Sequence, residues 1–243
     1  MVDHSELATP ARVRLEKPGI VVLVGSFLGA FIEAALLFVA AGRLDLPRAW
    51  LFLVVSLVGM FGQSVLVAAV NPGLVNHRGG WKKKKDTQPW DKLLLILYGL
   101  LAFYVLPVVV GLDVGRYRWS SLGVWAAVVG TILFAAGTVV LTWAMLVNTH
   151  FEVTVRIQHD RGHRVVTAGP YRIVRHPGYV GASLWALAGP LIVGSAFGFV
   201  PAAGAIAILI VRTALEDKTL QNQLPGYTQY AQKTKCRLLP PIW

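Results

Sequence analysis

The chain has 243 residues, of which 55% are hydrophobic and 14% are charged, and its mean hydropathy is +0.59. A chain this apolar and this poor in charge is not an ordinary soluble domain, so we expect an integral membrane protein. The formal net charge of +11 would suit nucleic-acid binding, but the basic residues follow membrane topology instead. We therefore expect membrane lipids and no nucleic acid as partners. The single cysteine, Cys236, excludes an intramolecular disulfide and a cysteine-rich metal site.

Four apolar segments in the first part of the chain are long enough to cross a bilayer. A crossing needs about 20 residues of helix, and a helix pairs its own backbone polar groups inside the hydrocarbon. The predicted spans cover residues 19–41, 49–70, 93–112 and 122–147. Because residues 1–18 are polar and the first apolar run is long, we expect no cleavable signal peptide.

The next apolar segment, residues 180–211, is too long for one crossing. Several residues that interrupt helices lie near its middle, namely Pro190, Gly194, Ser195, Gly198 and Pro201. We predict a helical hairpin with arms of about fifteen residues, each too short to cross a full bilayer unaided. The predicted fold class is an all-α integral membrane protein with about five to six transmembrane helices, the last two forming this short hairpin, followed by a cytoplasmic C-terminal helix or tail.

The distribution of Lys and Arg predicts the orientation, because these residues collect in cytoplasmic loops. The strongly basic segments contain Arg12, Arg14 and Lys17, then Arg78, Lys82 to Lys85 and Lys92, and then residues 156–175. The loops between them contain Arg43 and Arg48, or Arg116 and Arg118. We therefore expect a cytoplasmic N-terminus and a multi-pass protein whose hairpin returns the chain to the cytoplasmic face.

A dense polar cluster, GPYRIVRHPGY, occupies residues 169–179 between two apolar segments. Ionisable groups at a membrane boundary are costly and usually serve a function. Gly169 favours a turn, and Pro177 disfavours helical geometry at His176, which leaves a helix N-terminus open to a ligand. The candidate binding residues are Gly169, Tyr171, Arg175, His176, Pro177 and Tyr179. Such a site suits a carboxylate, a phosphate or a stacked heterocycle such as adenine. The alternative is an interfacial anchor of Arg and Tyr residues.

A second polar cluster follows the apolar hairpin. Arg212 and Glu216 are four residues apart, so on a helix they share a face and can pair. Glu216 and Asp217 are candidates to hold ribose hydroxyls or to orient Arg212. The alternative is a salt-bridged helix end. Tyr227 and Tyr230 in the following GYTQY segment are expected to pack.

These motifs together resemble the C-terminal half of the isoprenylcysteine carboxyl methyltransferase family and its bacterial relatives. The resemblance rests on the order of GPYRIVRHPGY, the hairpin, RTALEDKTL, GYTQY and RLLPPIW over about residues 150–243. It implies a cytoplasm-facing pocket for S-adenosylmethionine formed by Arg175, His176, Pro177, Tyr179, Glu216 and Asp217. The acidic pair is Glu-Asp rather than the more usual Glu-Glu, which puts the role of Asp217 in question.

The resemblance implies an integral membrane methyltransferase that uses S-adenosylmethionine. The implied acceptor is lipophilic or membrane-embedded, either a small molecule or a lipidated substrate, and a carboxylate is one candidate. Arg212 and Glu216 are the candidate catalytic residues. On this interpretation residues 1–18 form a cytoplasmic segment, 19–147 a four-helix transmembrane region, and 148–243 the cofactor-binding region with its hairpin and tail.

Two alternatives remain open from the sequence. Sterol reductases, which use NADPH, have a similar C-terminal hairpin and Arg-His element, although the RHPGY context and the acidic pair favour methyl transfer. A non-catalytic lipid-binding scaffold is the other alternative. The histidines show no metal-ligand pattern, so no metal is expected. Glu33 is a candidate cavity residue or a packing residue, and Asn148, His150 and Glu152 are candidate cofactor contacts or helix-end residues.

Overall fold

The computed structural model describes residues 13–84 and 86–243, and within these residues the regular structure is helical, without strands. The described helices are α1 (Lys17–Ala41), α2 (Pro47–Val70), α3 (Pro72–Gly79), α4 (Pro89–Tyr117), α5 (Val124–Val147), α6 (Pro177–Val193), α7 (Phe199–Gln223) and α8 (Tyr227–Lys233). Five of them, α1, α2, α4, α5 and α7, are long and apolar enough to cross a membrane. The predicted all-α membrane fold is confirmed. Arg12, Lys85 and most of the 1–18 segment lie outside the described residues.

Proline at the first turn begins most of these helices. It stands in the first turn of α1, α2, α3, α4 and α6, where a missing backbone N–H costs nothing and a fixed φ favours helix. The four predicted spans match α1, α2, α4 and α5. The helix α4 is longer at both ends than the predicted 93–112, because it also includes the buried carboxylates Asp91 and Asp113.

The hairpin is present, but its arms are unequal. Helix α6 has 17 residues and is followed by Gly194, whose φ of 100° is a backbone conformation that glycine adopts at little cost. Helix α7 has 25 residues, which correspond to about 38 Å, so the expected short second arm was wrong. Pro201 does not shorten α7, because it lies in the first turn.

Helix α6 packs against α5 through glycines. A Cβ atom on Gly137 would lie 2.8 Å from the carbonyl oxygen of Gly181, and a Cβ on Gly181 would lie 2.8 Å from that of Gly137. Small residues allow this close approach of helix backbones in membranes. The Trp185 indole N–H also donates to Thr138 Oγ1 at 3.0 Å. The start of α6, where the first polar cluster lies, is therefore held close to α5.

The turn of the hairpin is held at the opposite end of the bundle. Asp113 is fully buried and accepts hydrogen bonds from the hydroxyls of Ser120 and Ser195 and from the backbone N–H of Phe197. Arg48 donates to the carbonyls of Leu122, Leu191 and Ile192 and so satisfies the end of α6. With the turn held here, the start of α6 and the end of α7 meet at the other end of the bundle.

Candidate active site

A cavity of about 350 Å³ lies where the start of α6, the end of α7 and the segment 148–166 come together. This volume lies within the range of typical ligand pockets. One part of the lining is apolar and comes from membrane-crossing helices, with Leu95, Tyr98, Phe103 and Leu209 among its residues. The other part is polar. Among the sequence-predicted site residues, those in the lining are Tyr171, Arg175, His176, Pro177, Tyr179, Arg212 and Glu216. Gly169, Asp217 and Glu33 are not part of it.

The two polar clusters meet at Tyr179. Its hydroxyl donates a hydrogen bond to Glu216, and the Arg212 guanidinium lies 5.4 Å from the centre of its ring. The His176 ring is nearly parallel to the Tyr179 ring at 5.9 Å. The hairpin thus brings together side chains that are separated by about forty residues in sequence. Closing a chain segment of this length has only a modest entropic cost.

The ion-pair partner of Arg212 among the described residues is Asp91, rather than Glu216, with which its spacing on the helix would also allow pairing. Arg212 Nε donates to Asp91 Oδ1 at 2.6 Å, and Nη2 donates to Oδ2 at 3.2 Å and to the Val153 carbonyl at 2.6 Å. Asp91 is fully buried and also accepts from the backbone N–H of Val155. The sequence does not mark Asp91 as a site residue, because an acidic residue in the first turn of a helix is common for other reasons.

Asp217 lies behind the cavity wall with no exposed surface. Its carboxylate accepts hydrogen bonds from Arg175, Arg237, Tyr227 and Gln221, and His176 Nε2 lies 3.3 Å away. A carboxylate has about four lone-pair positions that accept hydrogen bonds, and these partners occupy them. Asp217 therefore orients the residues of the first cluster and leaves no acceptor for a ligand, in contrast to its predicted place in the cofactor pocket.

Arg175 lines the cavity but is largely occupied by the protein. It donates to both oxygens of Asp217 and, through Nη1, to the carbonyls of Thr234 and Lys235. The backbone N–H groups of Arg175 and His176 donate to the carbonyls of residues 236 and 237. Four of the five guanidinium N–H donors are thereby used. The C-terminal segment is fastened over the site by these contacts.

Tyrosines complete this part of the wall. The Tyr230 hydroxyl donates to the Tyr171 carbonyl at 2.7 Å, and the Tyr171 hydroxyl accepts from Asn148. Burial raises the pKa of Tyr230 to about 12, so it remains a protonated donor at neutral pH. Gly169, predicted to bind a cofactor, has a φ of 57° and lies against Trp143, where a Cβ would be 2.9 Å from the indole nitrogen. Its role in this position is to form the turn.

The segment after α5 forms another wall of the cavity, and only some of its residues were candidates from the sequence. Asn148, His150 and Glu152 all line the cavity, together with His163. The His150 and His163 rings lie 4.8 Å apart, and burial lowers the pKa of both, to about 4 for His163. Both imidazoles are therefore neutral at pH 7. Glu152 pairs with Arg156 at 2.8 Å, so its carboxylate is already partnered.

The fold and the site define a multi-pass helical membrane protein with a cavity that is polar at the bundle end and apolar among the spans. Residues 128–222 match the model of the Isoprenylcysteine carboxyl methyltransferase (ICMT) family, so this segment of the chain is similar to that family. The matched residues include most of α5, all of α6 and nearly all of α7, and they contain Tyr179, Arg212 and Glu216. Asp91 lies outside the match.

Curated relatives agree with this match. The chain is 35% identical over 60 residues to a "Probable protein-S-isoprenylcysteine O-methyltransferase" of Oryza sativa subsp. indica, covering 24% of this chain and 31% of the relative. It is 24% identical over 111 residues to "Protein-S-isoprenylcysteine O-methyltransferase A" of Arabidopsis thaliana, covering 44% and 56%. It is 36% identical over 64 residues to the Xenopus laevis "Protein-S-isoprenylcysteine O-methyltransferase", covering 26% and 22%. The chain thus spans between about a fifth and somewhat over half of the length of these relatives.

Proposed function

We propose that this protein transfers a methyl group from S-adenosylmethionine to the carboxylate of a lipophilic acceptor. The observation that carries the proposal is the cavity in which Tyr179, Arg212 and Glu216 meet, polar on one side and apolar on the other, within the segment of the ICMT family. A water-soluble methyl donor fits the polar side. A lipid tail fits the apolar side, which is built from membrane-crossing helices.

The residues present fit S-adenosylmethionine. Glu216 offers a carboxylate for ribose hydroxyls, and Tyr179 and His176 present aromatic surfaces for the adenine or the cationic sulfur. Tyr171 and Asn148 add polar groups on the same wall. When bound, the group supplies a methyl carbon activated by a positively charged sulfur, which a carboxylate oxygen accepts without a proton transfer. The protein therefore needs no general base for this step.

The side chains of the site exclude water and fix the positions of the groups that contact the donor and the acceptor. The hydrogen bond from Tyr179 fixes the Glu216 carboxylate, and Asp91 fixes Arg212. Nε and Nη2 of Arg212 are occupied, so Nη1 is the part of the guanidinium left to orient an acceptor carboxylate. Holding the acceptor in line with the methyl group lowers the entropic part of the barrier.

The relatives' names indicate the first acceptor to test. They are named as methyltransferases of protein S-isoprenylcysteine, whose carboxylate is attached to a long apolar chain. We propose an acceptor of this chemical class for the present chain, with its tail along Leu95, Tyr98 and Leu209. We also propose that the site opens toward the cytoplasm, as the basic loops predict.

The proposal is tested with purified protein, S-adenosylmethionine labelled in its methyl group, and N-acetyl-S-farnesylcysteine. We expect a base-labile methyl ester, and binding of S-adenosylmethionine in preference to NADPH. Glu216→Gln should weaken donor binding or turnover about 10-fold or more, because a charged hydrogen-bond acceptor is lost. Glu16→Gln, at an exposed position outside the cavity, is the matched control. Wild-type turnover in folded Glu216→Gln protein would remove Glu216 from the site, and preferential NADPH binding would favour a reductase.

A further inference from the structure

We propose that Arg78 binds the carboxylate of the acceptor, a role that rests on the proposed methyl transfer. Arg78 lies in the last turn of α3 and lines the same cavity as Arg212. It lies outside residues 128–222, so the family match assigns it no function.

The contacts of the Arg78 guanidinium with the protein are weak. Nη1 donates to the Phe151 carbonyl at 3.3 Å, which is long for a hydrogen bond, and the guanidinium carbon lies 5.2 Å from the Phe151 ring centre. Stacking on an aromatic face leaves the edge donors of a guanidinium available. Arg78 is thus held in place at the cavity with most of its donors left for a ligand.

Other arginines of the cavity are satisfied differently. Arg156 pairs with Glu152, Asp86 and Asp160; Arg175 pairs with Asp217; and Arg212 pairs with Asp91. Arg164 lines the cavity but is exposed to solvent. Within residues 13–84 and 86–243, Arg78 is the partly buried cavity arginine that has no carboxylate within ion-pair distance.

A guanidinium in this position favours an anionic ligand. Removal of a charge from water is costly unless an opposite charge compensates for it. Burial lowers the pKa of Arg78 to about 10, partly opposed by Glu152 and reinforced by the nearby Arg212, so Arg78 remains charged at neutral pH. The carboxylates of Glu152 and Glu216 already have partners in Arg156 and Tyr179. An incoming carboxylate would compensate Arg78 and Arg212 together.

The position of α3 favours the acceptor over the methyl donor as the source of this carboxylate. Helix α3 begins after a single intervening residue, Asn71, at the end of the membrane-crossing helix α2, so Arg78 lies near the boundary of the apolar region. We expect the carboxylate of an acceptor carried on a lipid tail to lie at this boundary. The residues proposed for the donor all belong to 148–216, on other elements of the wall.

The chemistry predicts which kinetic constant changes. Methylation converts the acceptor carboxylate into a neutral ester, so the attraction to Arg78 is strongest before the reaction and fades toward the transition state. An interaction of this kind lowers KM without raising kcat. Loss of Arg78 should therefore raise KM for the acceptor and leave kcat equal to the wild-type value or up to about threefold higher.

The test compares Arg78→Gln and Arg78→Lys with the exposed control Lys83→Gln. With N-acetyl-S-farnesylcysteine, Arg78→Gln should raise the acceptor KM about 10- to 100-fold and leave the KM for S-adenosylmethionine unchanged, since hydrogen bonds to charged groups have about this value. The acceptor KM of Arg78→Lys should lie between those of the wild type and Arg78→Gln, and the acceptor KM of Lys83→Gln should match that of the wild type. A rise in the donor KM alone, or no change in either KM, overturns the proposal.

A binding measurement separates this proposal from the methyl-transfer proposal. Wild-type protein and the Arg78 variants, each checked for folding by thermal unfolding in detergent, are titrated with N-acetyl-S-farnesylcysteine and its carboxamide in the presence of S-adenosylhomocysteine. Wild type should prefer the carboxylate about 10-fold or more, and Arg78→Gln should lose that preference. If no methyl ester forms, the proposed reaction fails, and equal preference in both proteins would additionally overturn the role of Arg78.

Discussion

At the scale of single residues, the site depends on buried charges whose partners come from distant parts of the chain. Arg212 and Asp91 are separated by 121 positions, and Arg175 and Asp217 by 42. A buried ion pair contributes little net stability compared with apolar packing, but removal of one partner leaves an uncompensated charge. The value of these pairs therefore lies in the geometry they impose on the cavity wall.

Asp91→Asn should disturb Arg212 in particular. The substitution removes the negative charge from the fully buried partner and should destabilise the fold by about 3–5 kcal/mol, toward the lower value because the amide oxygen still accepts a hydrogen bond. We also expect a lower kcat/KM, since Arg212 is no longer oriented, and partial recovery in Asp91→Glu. Unfolding free energies and steady-state kinetics measure both effects.

A double-mutant cycle tests whether the effect passes through Arg212. If it does, Asp91→Asn combined with Arg212→Gln should cost clearly less than the sum of the single changes. Asp113→Asn is the matched control, because Asp113 is equally buried on the same helix but bonds to hydroxyls and amide N–H groups. Its cost should add to that of Arg212→Gln. Additivity in the Asp91 pair as well would contradict a positioning role.

Single site residues could be predicted from the sequence where they belong to a compact local motif. Tyr179 and Glu216 belong to compact motifs, and both line the cavity. Asp91 and Arg78 could not be found, because nothing in their neighbours distinguishes them from an ordinary helix-start acid and an ordinary basic loop residue. The place of Asp217 behind the wall also depended on partners such as Arg237, which only the folded tail brings near.

At the scale of helices, the contact between α5 and α6 determines where the first polar cluster lies. Gly137→Ala places a Cβ 2.8 Å from a backbone oxygen of Gly181, which cannot rotate away. We expect a loss of about 1–3 kcal/mol of stability from overpacking. Gly29→Ala on α1 is the control, because nothing lies within 4 Å of its Cβ position, and its helix propensity should make it neutral or slightly stabilising. Equal effects of the two substitutions in detergent unfolding experiments would show that the close packing is unimportant.

The stability of the protein should fall in acid because of a histidine in the segment after α5. His163 has a folded pKa of about 4, lowered by burial, against an ordinary value of 6.5. Between these values the unfolded chain binds more protons, so stability falls as pH falls from 6.5 toward 4 and is unaffected above that range. At pH 5 the loss is up to about 2 kcal/mol.

His163→Gln should flatten this pH dependence, whereas His159→Gln, at an exposed position in the same segment, should retain it. Thermal unfolding midpoints measured between pH 7 and pH 5 decide the matter. A wild-type slope that persists in His163→Gln would assign the acid sensitivity to another group.

The sequence predicted accurately which membrane-crossing helices exist, but it predicted their lengths less accurately. Hydropathy located α1, α2, α4 and α5 because lipid-facing surfaces must be apolar. It underestimated α7, because the polar turns from Arg212 onward continue the helix beyond the apolar run and pair with residues on α4 and in the C-terminal segment. A hydropathy pattern cannot show that a polar side chain continues a buried helix when its hydrogen-bond partner lies far away in the sequence.

At the scale of the whole molecule, the bundle separates two ends with different chemistry. The cavity and the starts of α1, α4 and α6 lie at one end, and the Asp113 cluster and the hairpin turn lie at the other. The lengths of the spans enforce this separation: α4 alone has 29 residues, which correspond to about 44 Å. The fold thus determines which loops share a face, and the basic residues predict which face is cytoplasmic.

Cysteine labelling tests that orientation. In a Cys236→Ser background, single cysteines replace Lys83, near the start of α4, and Arg118, just after its end; both positions are exposed. Because Lys and Arg favour the cytoplasmic side, a membrane-impermeant maleimide added to intact cells should label Arg118→Cys and should label Lys83→Cys only after permeabilisation. The reverse pattern would place the cavity on the outer face, where a supply of S-adenosylmethionine from the cytoplasm could not reach it, and the proposed reaction would lose its methyl donor.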